Sequence, residues 1–183
     1  MTAPGGIQLR RFGVDQLELI RPVLVDIYAE VYAERLSDGF HSIDSFLDRL
    51  RNHVTGDNWE AVVAYDGETP AGYAYGAGRT GAAAWWASIQ PPVTDPELIR
   101  EWRGRTFGLF EIMVRKPWRK TGLARRIHDD LLQGRTEERV TLIVEQTKER
   151  VRALYESWGY RQVGSRQPFL DAPTYTCMLR NLR

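Results

Sequence analysis

Residues Leu109 to Leu132, LFEIMVRKPWRKTGLARRIHDDLL, hold the densest chemistry in this 183-residue chain. An apolar, strand-like run ends at Val114 and gives way to a short basic loop. The loop opens into a helical pattern with Leu123, Ile127 and Leu131 in one stripe. Such a junction exposes backbone N–H groups that no helical carbonyl accepts, together with the positive end of the helix dipole. It is a ready site for an anion such as phosphate. Gly122 lets a ligand approach the backbone, Ala124 keeps the first turn thin, and Arg119 and Lys120 add charge. Neither the GxxxxGKS/T phosphate loop nor the GxGxxG dinucleotide fingerprint is present. The residue types alone leave two readings open, a phosphate site or a solvated loop and helix start. Glu111 is the second feature, an acid within the apolar run Phe110-Glu111-Ile112-Met113-Val114. Partial desolvation would raise its pKa, which suits a general base.

Periodicity predicts the elements that must position these residues. Ile7 to Phe12 alternates apolar and polar residues and reads as a strand. Leu17, Ile20, Leu24, Ile27, Tyr28 and Val31 recur at steps of three and four, predicting a helix from Val14 to about Leu36. Pro22 moves its expected start to near Arg21. Ile43, Phe46, Leu47 and Leu50 predict a second helix with Ser42 as N-cap. Trp59–Tyr65 and Ala71–Gly78, joined by Asp66-Gly67-Glu68-Thr69-Pro70, read as a hairpin. Arg79 to Phe107 is the least regular stretch, with a short helix from about Pro96 to Trp102. Beyond the strand at Leu109–Val114 and a helix over Thr121–Gln133, a strand is expected at Val140–Val144 and a helix at Thr147–Trp158, stopped by Gly159. Tyr160–Val163 and Thr174–Leu179 close the chain as a strand pair. Two strands separated by a helix demand a parallel crossover. The expected fold is therefore α/β (an α+β mixed sheet), with helices on both faces.

The length suits a single domain over residues 1–183. A net charge of +1 gives no strong field for nucleic acid or an anionic membrane, and the basic loop lacks interleaved aromatic residues. One cysteine, Cys177, excludes an internal disulfide and a cysteine-built zinc site, and it reads as a buried strand residue. His41, His53 and His128 fall on separate elements, so no metal is expected. Met1 to Gly6 has no basic region followed by an apolar core, and no apolar stretch approaches bilayer-spanning length. The cytoplasm is the expected location.

Arg119-x-x-Gly122-x-Ala124, after a strand and before a helix, resembles the acyl-CoA pyrophosphate loop of the GNAT acetyltransferase superfamily. Leu154-Tyr155-Glu156-Ser157-Trp158-Gly159-Tyr160 is similar to the L-Y-x-x-x-G-F/Y helix end of that family, and the order of elements agrees along nearly the whole chain. The resemblance implies a GNAT-like, mostly antiparallel sheet with one splayed parallel pair. It implies acetyl-CoA, or another acyl-CoA, as co-substrate. Backbone amides of Arg119, Lys120, Thr121, Gly122, Leu123 and Ala124 would hold the pyrophosphate, and the main chain of Ile112, Met113 and Val114 the pantetheine. Arg115 and Lys116 would be either outlying phosphate contacts or merely solvated side chains. The chain departs from the pattern at Lys148, where many members have asparagine.

The reaction so implied is direct attack of an amine on a thioester. An alkylamine is mostly protonated near neutral pH, so a base must take a proton. Glu111 is the candidate base, with Glu145 or water as alternatives, and Tyr155 the candidate acid, with simple packing as its alternative. Acceptor surfaces in this fold map to Tyr28–His41, Trp85–Gln90 and Gln167–Asp171. Tyr28 and Tyr32 are candidate acceptor contacts, and Trp85 and Trp86 either an aromatic wall or core and dimer contacts. The expected activity is N-acetyl transfer to a small-molecule amine, with a non-catalytic acyl-CoA-binding module as the alternative. A homodimer is left open.

Overall fold

The hydrophobic periods close into thirteen principal elements in a computed structural model that describes residues 6–170 and 172–183. Met1 to Gly5, on which most of the N-terminal reading falls, and Asp171, at the end of one acceptor segment, lie outside the described residues. In chain order the elements are β1 (Gln8–Gly13), α1 (Leu17–Val31), α2 (Ile43–His53), β2 (Asp57–Asp66), β3 (Thr69–Gly78), α3 (Ala82–Ala87) and α4 (Pro96–Ile99). β4 (Thr106–Val114), α5 (Leu123–Leu132), β5 (Arg139–Glu145), α6 (Glu149–Ser157), β6 (Arg161–Arg166) and β7 (Tyr175–Asn181) follow. The strands form one mixed sheet in the order β1-β2-β3-β4-β5-β7-β6. β1 runs antiparallel to β2, and β7 antiparallel to both β5 and β6. β4 and β5 are parallel, pairing Thr106–Gly108 with Arg139–Thr141. α5 is the crossover that a parallel pair requires.

The chain divides into two compact units. The first comprises Met1–Ala77 and Phe110–Arg135. Its core joins Leu17, Ile20, Leu24 and Ile27 of α1 and Phe46 and Leu50 of α2 to Trp59, Ala61 and Val63 of β2 and Tyr73, Tyr75 and Ala77 of β3. The strand residues are all odd-numbered, so strand alternation puts them on one face. The even-numbered Val62 and Ala64 are fully buried as well, and α5 packs against β1 and β2. Helices thus cover both faces of the sheet in this unit. Each fully buried leucine or isoleucine contributes about 1.5–3 kcal/mol.

The second unit comprises Gly78–Leu109 and Thr136–Arg183. Its core holds Trp85, Trp86, Ile89, Cys177 and Leu179. A buried ion pair links Arg139 to Glu101. Arg139 Nε also donates to Thr106 Oγ1 at 2.9 Å, and the Trp86 indole N–H donates to Glu101 Oε1 at 2.7 Å. Both charges keep hydrogen-bond partners, as burial demands.

α4 ends at Ile99 rather than Trp102 and β6 runs on to Arg166, and three further elements differ from the sequence expectation. α1 begins at Leu17 rather than Arg21 because a single 3₁₀ turn at Val14–Gln16 leads into it, with the Gln16 side chain accepting from the Gly13 N–H at 3.2 Å. Pro22 lies inside the helix and forfeits one backbone bond there. α1 stops at Val31, five residues short of Leu36, where the apolar stripe ends. α3 went unforeseen, since six residues of Ala and Trp behind the left-handed Gly81 show no helical period. β4 starts at Thr106, three residues before Leu109, and those added residues carry the pairing to β5.

Candidate functional site

In the first unit, β4 ends at Val114 and the chain passes through a 3₁₀ turn, Lys116–Trp118, before α5. Three side-chain bonds fix this loop. Arg119 Nε donates to the Val114 carbonyl at 2.9 Å, Thr121 Oγ1 to the Trp118 carbonyl at 2.7 Å, and the Trp118 indole N–H to Asp66 Oδ2 at 3.0 Å. Lys120 (φ 65°) and Gly122 (φ 83°) adopt left-handed backbone. Gly122 is the N-cap of α5, no side chain caps the helix, and the first backbone bond runs from Arg126 N–H to the Gly122 carbonyl at 3.1 Å. The N–H groups of Leu123, Ala124 and Arg125 therefore have no helical acceptor. A Cβ built on Gly122 would meet no atom within 4 Å, so the space above it is open. Open glycine, uncapped amides and dipole end coincide, which is the geometry of an anion site.

The loop's side-chain charge is sparser than the sequence suggests. Arg115 forms ion pairs with Asp26 and Glu30 of α1 and is largely buried. The expectation that Arg115 would reach cofactor phosphates is thus corrected, because its guanidinium ties α1 to the end of β4. Arg125 Nε pairs with Asp129 at 2.6 Å. Lys116 and Lys120 remain exposed at the loop surface. Ile112 is half-buried, whereas Met113 and Val114 are buried, and the Val114 carbonyl is already engaged by Arg119. β3 approaches this stretch closely, since a Cβ on Gly72 would lie 2.5 Å from the Met113 carbonyl oxygen.

Glu111 sits on β4 in an aromatic setting within the same unit. Its neighbour Phe110 stacks on His53 of α2, with ring centroids 4.0 Å apart and planes 6° from parallel. His53 Nδ1 lies 3.4 Å from the Tyr75 hydroxyl, and the Tyr73 hydroxyl donates to Met113 Sδ at 3.4 Å. Although Glu111 keeps partial solvent access, protein surrounds its carboxyl closely enough that burial pushes it up to about 7, with Arg49 opposing. Burial, and then the neighbouring Glu111, hold the Tyr73 and Tyr75 hydroxyls well above the ordinary tyrosine range. Tyr28 is buried and stacked on Phe46 at 4.2 Å, and its hydroxyl accepts from Arg49 Nη2 at 3.0 Å. Tyr32 is half-buried, 4.7 Å from Tyr28 and 4.9 Å from the His41 ring. Glu111, the loop and Tyr28 and Tyr32 therefore all belong to one unit.

The remaining candidates belong to the second unit. Tyr155 on α6 is buried, and its ring meets Trp158 and Tyr160 edge-on at 5.4 Å and 5.7 Å. Both rings pack against it, whereas Val151 and Leu154 are exposed. At Lys148 the main chain engages both ends of the turn, its N–H donating to the Glu145 carbonyl at 2.8 Å and its carbonyl accepting from Val151 and Arg152. Glu145 accepts from the Thr147 hydroxyl at 3.2 Å. Trp85 and Trp86 are core residues, perpendicular to each other at 4.9 Å. An open aromatic wall is not what they form here, because Arg79 covers one ring and Arg139 the other.

Sequence reasoning missed Arg49. Its only signal was its place four residues before His53 on the same face of α2. Among the described residues, no group of three or more His, Cys, Asp or Glu is arranged to hold a metal, and no helix is long and apolar enough to cross a membrane.

The family model described as an acetyltransferase (GNAT) domain matches residues 98–171. No curated protein matches the chain in sequence. Among solved structures, a GNAT-family acetyltransferase from Streptococcus agalactiae superposes with a TM-score of 0.66 at 16% identity, covering 99% of this chain and 98% of that one. A GNAT-family acetyltransferase from Elizabethkingia anophelis with acetyl-CoA bound gives 0.63 at 11% identity, covering 96% and 98%. The ribosomal-protein-S18-alanine N-acetyltransferase from Escherichia coli gives 0.61 at 15% identity, covering 96% and 94%. At these identities the likeness is one of fold.

Proposed function

We propose that this chain is a GNAT acetyltransferase that moves an acetyl group from acetyl-CoA to the primary amine of a small molecule, a reading supported by its fold and by the domain match over residues 98–171. The observation that carries the reading is the strand-to-helix loop. Uncapped amides at Leu123, Ala124 and Arg125 stand behind an open, left-handed Gly122, a cradle suited to the pyrophosphate of a coenzyme A thioester. Arg119 through Ala124 would hold that group, and the main chain of Ile112 and Met113 would run beside the pantetheine.

Glu111 supports an amine as acceptor. A carboxyl titrating near 7 is half ionised at neutral pH and can take a proton from an ammonium group on arrival. The freed nitrogen attacks the thioester carbonyl, giving a tetrahedral intermediate. That intermediate collapses with cleavage of the C–S bond, so the electron pair leaves on sulfur. Tyr155, which falls on the tyrosine of the family motif, supplies the proton that the thiolate takes. The nitrogen loses its second proton to solvent as the amide forms. Amide and free coenzyme A thiol are the products.

Calorimetric titration with acetyl-CoA, followed by thiol release over a panel of amines, tests this reading. Binding together with amine-dependent thiol release supports it. Binding without release from any amine would favour the acyl-CoA-binding module, and absence of binding would remove the loop assignment.

A further inference from the structure

The acceptor side of the first unit carries a second charge whose role the proposed chemistry does not explain. Arg49 projects from α2 one helical turn before His53, whose ring stacks on Phe110, the residue next to Glu111. The Arg49 guanidinium lies 4.6 Å from the Phe40 ring centre, donates through Nη1 to the Phe40 carbonyl at 2.7 Å and through Nη2 to the Tyr28 hydroxyl at 3.0 Å. Those two bonds use two of five guanidinium donors and hold the fork in place. Among the described residues no carboxylate lies within 4.0 Å of it, in a protein whose arginines at 11, 115, 125 and 139 are all ion-paired. The Glu111 carboxyl, on which the Arg49 charge acts, lies beyond ion-pair distance, so the half-buried fork is oriented by neutral partners and keeps donors open to an anion from outside. Half-buried aromatic rings of Tyr32, Phe40, His53 and Phe110 stand in the same part of the unit.

Resting on the amine-acetylation reading above, we propose that the acceptor is an amine that also bears a carboxylate, an amino-acid-like molecule, with Arg49 binding the carboxylate while the amino group faces Glu111. The fork geometry favours a planar, bidentate anion, and the aromatic rings favour an apolar or aromatic side chain on the acceptor. Arg49 is on this account a specificity-determining residue. It recognises the part of the acceptor that does not react.

Matched pairs of amines test this without altering the protein. Thiol release from acetyl-CoA is measured for phenylalanine against phenethylamine, tyrosine against tyramine and histidine against histamine. The expected result is a kcat/KM about tenfold to a hundredfold higher for the carboxylated member of at least one pair, expressed mainly in KM. In Arg49→Met, checked for folding by circular dichroism, that preference collapses to near unity. Equal rates for both members of every pair in the unaltered enzyme, or a preference for the decarboxylated amines, overturn the proposal while leaving amine acetylation standing. A carboxylate preference that persists undiminished in folded Arg49→Met also overturns it. Absence of thiol release with every amine instead strikes at the proposed function itself. Should Arg49→Met fail to fold, Arg49→Lys keeps one charge without the fork and should retain only a partial preference.

Discussion

Replacing Glu111 with glutamine separates two consequences of enclosing one carboxyl. The first is kinetic. Burial lifts the group to about 7, so in the unaltered enzyme kcat/KM should rise with pH through about 7 and level above it, as the base loses its proton. Glu111→Gln should abolish that limb and lower the plateau by roughly 10²–10⁴-fold. The second consequence is thermodynamic. The folded state holds this proton more tightly than the unfolded chain, where the ordinary value is 4.5. The group's stabilising contribution is therefore complete below about 4.5 and is lost as pH rises through about 7. At about 1.4 kcal/mol per pH unit the difference has a ceiling of roughly 3 kcal/mol. Partial solvent access and the neighbouring Arg49 reduce it to an expected 1–2 kcal/mol, on the order of half that ceiling. Urea unfolding at pH 4.5 and pH 8 should thus show Glu111→Gln gaining about 1–2 kcal/mol over the unaltered protein at the higher pH only. Parallel stability at both pH values, together with an unchanged rate profile in the variant, would refute the assignment of Glu111 as a desolvated base.

Other substitutions probe separate parts of the account. Gly122→Ala forces a side chain into left-handed backbone at φ 83° and should cost about 1–2 kcal/mol of stability while raising the Kd for acetyl-CoA in calorimetry. Gly72→Ala sets a Cβ 2.5 Å from the Met113 carbonyl oxygen, so a thermal melt should show destabilisation of about 1–3 kcal/mol as β3 and β4 are pushed apart. Tyr155→Phe keeps the ring packed against Trp158 and Tyr160, so kcat should fall tenfold or more (about 1.4 kcal/mol of barrier) with acetyl-CoA affinity nearly unchanged. A kcat equal to that of the unaltered enzyme would reduce Tyr155 to a packing residue.

Much of this fold was legible because hydrophobic periods map directly onto element type. The stripe through Leu17, Ile20, Leu24 and Ile27, the Ser42 cap and the α5 crossover all followed from spacing, and Ser42 does accept from Ser45 N–H at 3.2 Å. The loop at Gly122 was visible for the same reason, since an anion-ready helix start is a local property of a strand–glycine–helix succession. The partners of Glu111 were not. Arg49 lies 62 residues away in sequence and reads there as an ordinary polar-face arginine; only tertiary folding brings α2 over Phe110. Trp85 and Trp86 show a choice that sequence leaves open. Adjacent tryptophans fit either a recognition wall or a core contact, and folding decides for the core by giving Trp86 a hydrogen-bond partner in Glu101 and burying both rings. Arg115 reads as part of a basic patch until Asp26 and Glu30 on α1 neutralise it.

The central claim is that the chain carries an acyl group from coenzyme A to an amine. Its most direct measurement is mass spectrometry of an amine acceptor incubated with acetyl-CoA and the purified protein, run beside thiol detection. The account predicts an acceptor heavier by one acetyl group, formed one-for-one with free thiol and absent when the protein is omitted. Tight acetyl-CoA binding with neither acetylated amine nor thiol across amino acids, peptides and simple amines would contradict it.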